Sequence, residues 1–352
     1  MSDLVEFPEQ VYVDAGDVFK KFDAKLARFT LENARAMMWF AQLAYEVDDS
    51  GGNKNAAKIA KVADRWHFSA ITPFRERAAS LGKSFNTTGL VGERGDAIVL
   101  AFAGTDPGVW ETVVTDFRPE LGPENTHSGF QAAFRAAAPL DAQGKLSGPI
   151  GDAIARSSAT GLPIFITGHS LGAALGFLTA DAMAAQGIAP PRAIYGFGTP
   201  CIGGTTFQKR YNAAFGGVTY RLVHGRDVVA RVPMLPGYVH VGCLLQTKQD
   251  TNFAGQPAGP SEDPRFFEPA YLKEIGTFLL GGGVIGILKG LVMSPPTSPQ
   301  DLGRALLARL PPRGHGPLGE WFRALPPFFR EHLQDRYIEA LTPGAARLRS
   351  DV

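Results

Sequence analysis

The stretch Phe165–Phe177, FITGHSLGAALGF, limits the fold of this chain more than any other. An apolar, strand-forming run passes abruptly into an Ala-rich helical pattern, and the joint is Gly168-His169-Ser170-Leu171-Gly172, a G-x-S-x-G. In a chain with 41 glycines that pattern alone is common; its place between a strand and a helix makes it specific. The turn has to be sharp, so its flanking positions must be small, and it lifts the Ser170 hydroxyl above a sheet edge. The first free amides of the helix, that of Leu171 foremost, can there stabilise negative charge. Ser170 reads as a nucleophile and Leu171 N–H as an oxyanion donor.

The surrounding pattern alternates strands and helices. Phe22 to Val47 carries apolar residues at helical spacing and predicts one long N-terminal helix. SFNTTGLVG (84–92) and DAIVLAFAG (96–104) predict two strands joined around Glu93 to Gly95, and a helical stretch begins near Gln131. LPIFIT (162–167) is the strand before the elbow, and the following helix runs from Leu171 to Gln186, stopped by Gly187, Pro190 and Pro191. RAIYGFG (192–198), VTYRLVHG (218–225) and YVHVGCLL (238–245) predict three more strands. The alternation implies an α/β fold with a parallel sheet covered on both faces. Residues 1–352 read as a single domain. Residues 249–330, rich in Gly, Pro and Ser at their start, read as an elaboration on the sheet that precedes the candidate histidine.

A serine hydroxyl is a weak nucleophile unless a base takes its proton and a carboxylate fixes the tautomer of that base. In this class of fold the order along the chain is serine, acid, histidine. Asp227 lies just past YRLVHG, at the sheet edge where ligands gather in open α/β folds; the competing reading is a loop carboxylate paired with Arg226 or Arg231. Three histidines follow. His240 alternates with Tyr238 and Gly242 in a predicted strand. His315 sits in PPRGHGP, and His332 opens an amphipathic helix with Leu333, Tyr337, Ile338 and Leu341 on its inner face. A loop residue anchored by such a helix is well positioned, so His332 is favoured and His240 is second. His169 is expected to pack beneath the turn, and His67, His127 and His224 to be structural.

These residues together resemble the class 3 lipases, the fungal-lipase-like branch of the α/β-hydrolases. GHSLGAAL is similar to that family's serine elbow and FGTPCIGG (197–204) to its next signature, while GRDVVARVP resembles the segment that carries the acid, which places that role on Asp227. EHLQDRYIEAL resembles the tail of bacterial members and supports His332; HSGF (127–130) and AQLAY (41–45) are also similar to family segments. LAFAGTD (100–106) resembles the oxyanion loop, which implies Thr105 as second donor. Two positions depart from the family's pattern: Ala103 stands where Arg is usual, and Val113 stands where Trp usually precedes the Asp, with Trp110 one turn earlier. The resemblance implies an α/β-hydrolase acting on acylglycerol esters through an acyl-enzyme. A phospholipase A1, a short-chain carboxylesterase and a catalytically inactive interaction module are the alternatives.

Trp110, Val113, Val114 and Phe117 share one helical face. They read either as a surface helix packed on the core or as a lid over an acyl pocket, since fungal relatives place a lid just after this loop. Arg304, Arg309, Arg313, Arg323 and Arg330 flank Trp321, Phe322, Phe328 and Phe329, a composition that suits a lipid–water interface but equally caps a core. With 35 basic against 34 acidic side chains there is no global field to recruit nucleic acid. The apolar run Ile275 to Leu288 is interrupted by glycines and falls short of the roughly 20 residues of a spanning helix. MSDLVEFPEQ lacks the pattern of a secretory signal, so a cytoplasmic protein is the default expectation, with a secreted mature form also compatible. Cys201 and Cys243 read as plain thiols. The expected chemistry calls for no metal or organic cofactor, and no metal-binding motif such as H-E-x-x-H occurs.

Overall fold

The computed structural model describes residues 6–47, 55–80, 83–104, 121, 125–126, 131, 134, 141, 143–231, 237–248, 251–257, 259–260 and 331–342. Their helices are α1 (Glu9–Ala15), α2 (Leu31–Leu43), α3 (Ala56–Arg65), α4 (Gly148–Thr160), α5 (Leu171–Ala185), α6 (Thr205–Phe215) and α7 (Gln334–Ala340). The strands are β1 (Ala70–Ser80), β2 (Lys83–Glu93), β3 (Ile98–Phe102), β4 (Ile164–His169), β5 (Ala193–Phe197), β6 (Gly203–Gly204), β7 (Thr219–His224), β8 (Tyr238–Val239) and β9 (Cys243–Thr247).

Seven strands form one sheet in the order β1-β2-β3-β4-β5-β7-β9. β1, β2 and β3 pair antiparallel, and from β3 to β9 every pairing is parallel. The central strands are continuously apolar because both faces are covered. Ile98, Leu100, Phe102, Ile164 and Ile166 join the apolar cluster of α4, α5 and α6, while Val99, Ala101, Phe165, Tyr195 and Phe197 join that of α2 and α7. This is an α/β-hydrolase fold, a mostly parallel sheet flanked by helices.

Register brings the strand ends to one edge. Phe102 pairs with Gly168, and His169 with Phe197, so the segments leaving β3, β4, β5 and β7 emerge side by side.

Two expectations need correction, and two elements are new. The N-terminal helix starts at Leu31, not near Phe22: Thr30 caps it, its hydroxyl accepting from Asn33 N at 3.1 Å. The Asn33 amide in turn holds Asp23, accepting from its N–H at 2.9 Å and donating to its carbonyl at 3.0 Å, which keeps the preceding segment in turns although Phe22 and Phe29 are buried. The stretch 238–245 is two strands. Gly242, at φ +72, ends the pattern, so β8 pairs antiparallel with β6 while β9 joins the main sheet. His240 therefore lies between strands and not within one. The stretches 70–80 and 205–215 are β1 and α6, neither anticipated. Cys201 and Cys243 are both buried thiols that form no disulfide with each other. Of residues 249–330, only 251–257 and 259–260 lie within the described residues, and Phe253 N donates to Ala340 O at 2.9 Å.

Candidate active site

Ser170 joins β4 to α5 at φ +60 and ψ −132, a conformation that L residues rarely adopt. Its N–H donates to Phe197 O at 2.8 Å, which ties the elbow to β5. The small neighbours are required by backbone packing. A Cβ on Gly168 would lie 2.5 Å from Ala173 N, and one on Gly172 would lie 2.7 Å from the carbonyl carbons of Phe102 and Ala103. Leu171 is the first residue of α5, so its amide belongs to the unpaired first turn. Thr105 and the positions Trp110, Val113, Val114 and Phe117 lie outside the described residues. Gly104, just before Thr105, packs on the elbow: a Cβ there would be 2.9 Å from Ser170 Cβ. Ala103 is buried, its N–H donating to Thr88 O at 2.9 Å.

Asp227 follows the turn after β7, and His332 precedes α7; 105 residues apart, they meet in the interior. His332 Nδ1 lies 2.7 Å from Asp227 Oδ2, and both side chains are fully buried. Tyr337 O–H donates to the same oxygen at 2.6 Å, and Val229 N and Ala230 N donate to Oδ1 at 2.8 and 3.4 Å. Gly198, at φ +59, leaves room for this pair, since a Cβ there would sit 2.6 Å from Asp227 Oδ2 and 2.7 Å from His332 Nδ1. Burial works to raise the Asp227 carboxyl, but His332 and the Tyr337 hydroxyl outweigh it and hold it below the ordinary value. Burial pushes the His332 imidazole down, against the opposing pull of Asp227. The resting pair is a carboxylate and a neutral imidazole protonated at Nδ1, the form a general base needs.

The remaining histidines sort by contact. His169 Nε2 lies 2.7 Å from His332 O and its Nδ1 2.8 Å from Tyr45 Oη, so it is bonded beneath the elbow as expected. His240 Nε2 donates to Ala230 O at 2.7 Å and so braces the Asp227 loop from outside. His224 N donates to Tyr337 Oη at 3.1 Å, and His67 is exposed after α3. His127 and His315 lie outside the described residues. Leu333, expected on the inner face of α7, is half-buried, whereas Tyr337, Ile338 and Leu341 are buried.

Sequence patterns did not single out Glu331. It is buried, accepts from Arg226 N–H through Oε2, and fills the space beside Gly225, at φ +49. Burial and the nearby Asp227 raise its carboxyl, partly offset by that amide and by Arg226 and Arg231. Among the described residues no group of His, Cys, Asp or Glu is placed to hold a metal ion.

A strained serine elbow at the sheet edge, beside a buried carboxylate–imidazole pair, is the architecture of an α/β-hydrolase. Within that class, residues 99–236 match the family model for lipase (class 3). The match takes in Ser170 and Asp227 and leaves out His332. Phospholipase A1-II 6 of rice is 38% identical over 97 residues, covering 24% of each chain. The secreted mono- and diacylglycerol lipase A of Penicillium cyclopium is 35% identical over 79 residues, 22% of this chain and 25% of that one. The chain thus spans about a quarter of the length of the curated relatives it matches. In fold it is similar to lipase II of Rhizopus niveus (TM-score 0.51, 20% identity, 70% of this chain and 91% of that one). It is likewise similar to the Lip2 lipase of Yarrowia lipolytica (TM-score 0.51, 19% identity, 67% and 86%). These matches support the class 3 lipase family; the relatives are plant and fungal, so the expectation of a bacterial-type member finds no support.

Proposed function

We propose that the chain is a carboxylic ester hydrolase that cleaves acylglycerol-type esters through an acyl-enzyme on Ser170. The observation that carries this reading is the buried 2.7 Å contact between His332 Nδ1 and Asp227 Oδ2 beside the strained serine elbow. Ser170 Oγ attacks the ester carbonyl while His332 Nε2 takes its proton, and Asp227 steadies the imidazolium. The Leu171 amide and Thr105 donate to the tetrahedral oxyanion, each worth about 10² to 10³ in turnover. Collapse expels the alcohol with the proton from His332, and water then releases the acid by the reverse route.

The names of the Penicillium relatives support glyceride esters as substrates and a secreted protein. Among the described residues no helix is long and apolar enough to cross a membrane. The rice match favours a phospholipase A1 as second reading. In either case Trp110, Val113, Val114 and Phe117 would cover the acyl pocket, and the Arg- and aromatic-rich segment 304–330 would meet the lipid–water interface.

The test is hydrolysis of p-nitrophenyl esters from acetyl to palmitoyl, with and without micelles, together with a diacyl phospholipid, using Ser170→Ala as control. Rates that rise with chain length at the micelle surface and vanish in the variant support the lipase. Release of fatty acid from the phospholipid selects the second reading, and activity confined to short soluble esters would make it an esterase. Equal background rates in both proteins overturn the hydrolase and leave an interaction module.

A further inference from the structure

The proposed reaction leaves one buried polar pair beside the site without a role, Tyr45 and His169. Tyr45 follows α2, His169 ends β4, and both are buried. A carbonyl oxygen only accepts hydrogen bonds, so the 2.7 Å contact from His169 Nε2 to His332 O places the proton on Nε2. Burial drives this imidazole well below its ordinary pKa, and the neighbouring His332 pushes the same way, so the ring is neutral and Nδ1 is an acceptor. Tyr45 O–H must then donate across the 2.8 Å contact to Nδ1. That bond selects the one neutral tautomer able to hold the His332 carbonyl.

The same frame touches the nucleophile. His169 directly precedes Ser170, and its ring lies 4.4 Å from that of His332, tilted by 39°. A Cβ on Gly104 would collide with the Tyr45 hydroxyl and lie 2.7 Å from His169 O and 2.9 Å from Ser170 Cβ. The segment before Thr105, the elbow and the histidine backbone therefore share one set of contacts, although His169 and His332 are 163 residues apart.

We propose that Tyr45 and His169 are positioning residues for ester hydrolysis: the Tyr45 hydroxyl fixes the His169 tautomer, and His169 Nε2–H holds the main chain of His332 at the distance Ser170 requires. This rests on the reading of Ser170 as nucleophile and His332 as base. Neither residue touches substrate; they act through the placement of His332, and misplacing a reacting group by about 1 Å costs on the order of 10²-fold in rate.

The experiment measures kcat and KM for p-nitrophenyl butyrate on the full chain, with the melting temperature of each protein, for Tyr45→Phe, His169→Phe, His169→Gln and Ser170→Ala. Tyr45→Phe is expected to lower kcat about tenfold and His169→Phe on the order of 10²-fold, with KM within about twofold and melting temperatures close to the parent. His169→Gln is expected to regain roughly tenfold over His169→Phe, because its amide N–H reaches the His332 carbonyl. Tyr45→Phe added to His169→Gln is expected to change little, since a glutamine has no tautomer to fix. An active Ser170→Ala overturns the reading of the site itself. An inactive Ser170→Ala with parental kcat in Tyr45→Phe and His169→Phe overturns the positioning role and leaves the site standing. If His169→Phe fails to fold, Tyr45→Phe decides, since it removes one oxygen and keeps the ring.

Discussion

The hydroxyl of Tyr337 and the Nδ1 of His332 converge on one oxygen of Asp227, at 2.6 and 2.7 Å. The other oxygen is held by the amides of Val229 and Ala230. The carboxylate is thus fixed from both sides, and every donor favours its ionised form. The Tyr337 hydroxyl also accepts from His224 N–H at 3.1 Å, which orients its proton toward Asp227.

Replacing Tyr337 by Phe keeps the ring and removes both bonds. Asp227 loses a donor and a buried amide loses its acceptor, so stability is expected to fall by about 2 kcal/mol. The carboxylate would still hold His332 through the remaining amides, and kcat should drop about tenfold. Melting temperature and kcat measured together check this; a variant with both at parental values would show that the tyrosine is incidental.

Asp227→Asn separates rate from protonation. In the proposed mechanism the base works only when neutral, so activity is expected to be lost as pH falls through the His332 pKa, which burial places below the ordinary imidazole value. Asp227 opposes that effect by favouring the imidazolium; without it the His332 pKa falls further, and the acid limb of kcat/KM moves to lower pH. Turnover should fall about 10⁴-fold at the same time, because an amide no longer enforces the required tautomer. A pH–rate profile from about pH 4 to 8 gives both quantities, and a limb that moved upward would contradict the sign.

The elbow was legible in the sequence because its chemistry needs small residues at fixed spacing. The central strands were legible because burial on both faces writes them as apolar runs. Asp227 and His332 could be proposed from chain order and from the patterns around them. Tyr45, Gly198 and Glu331 lie inside family-like segments, AQLAY, FGTPCIGG and EHLQDRYIEAL, but their individual roles are not legible there, because each acts through contacts with segments distant in the chain. β1 is not legible in the sequence, since FRERAAS, its second half, shows neither an apolar run nor alternation. The N-terminal helix reads too long in the sequence for the opposite reason: Phe22 and Phe29 are buried, but on turns held by Asn33. At His240 the period of two carried straight across Gly242, where the backbone changes direction.

Glu331 ties the histidine segment to the acid loop through Arg226 N–H, while its Oε1 is buried with no hydrogen-bond partner among the described residues. Glu331→Gln keeps an acceptor and is expected to leave kcat within about twofold. Glu331→Ala strands the amide and lets the Gly225–Asp227 turn relax, with a loss of about 1–3 kcal/mol and roughly tenfold in kcat. Melting curves and kcat for the two variants test the difference; equal behaviour would mean that the acceptor is not what matters.

Gly172 and Gly176 lie one turn apart on α5 and differ in what surrounds them. A Cβ on Gly172 meets the backbone of Phe102 and Ala103, which cannot yield without pushing α5 off β3. A Cβ on Gly176 meets one atom closely, the γ2 methyl of Ile166 at 2.9 Å, and otherwise only contacts of 3.7 Å and beyond; that methyl sits on Cβ and has to shift, while alanine is the better helix former by about 1 kcal/mol. Gly172→Ala should therefore lose about 1–3 kcal/mol and melt several degrees lower, whereas Gly176→Ala, where a single methyl shifts and the helix gains propensity, should lose clearly less. Because α5 carries the Leu171 amide and begins at Ser170, Gly172→Ala should also cost on the order of 10² in kcat at temperatures where it remains folded. Equal melting temperatures for the two variants would show that the strand and helix can separate here without strain, and that the glycine answers only to the geometry of the turn.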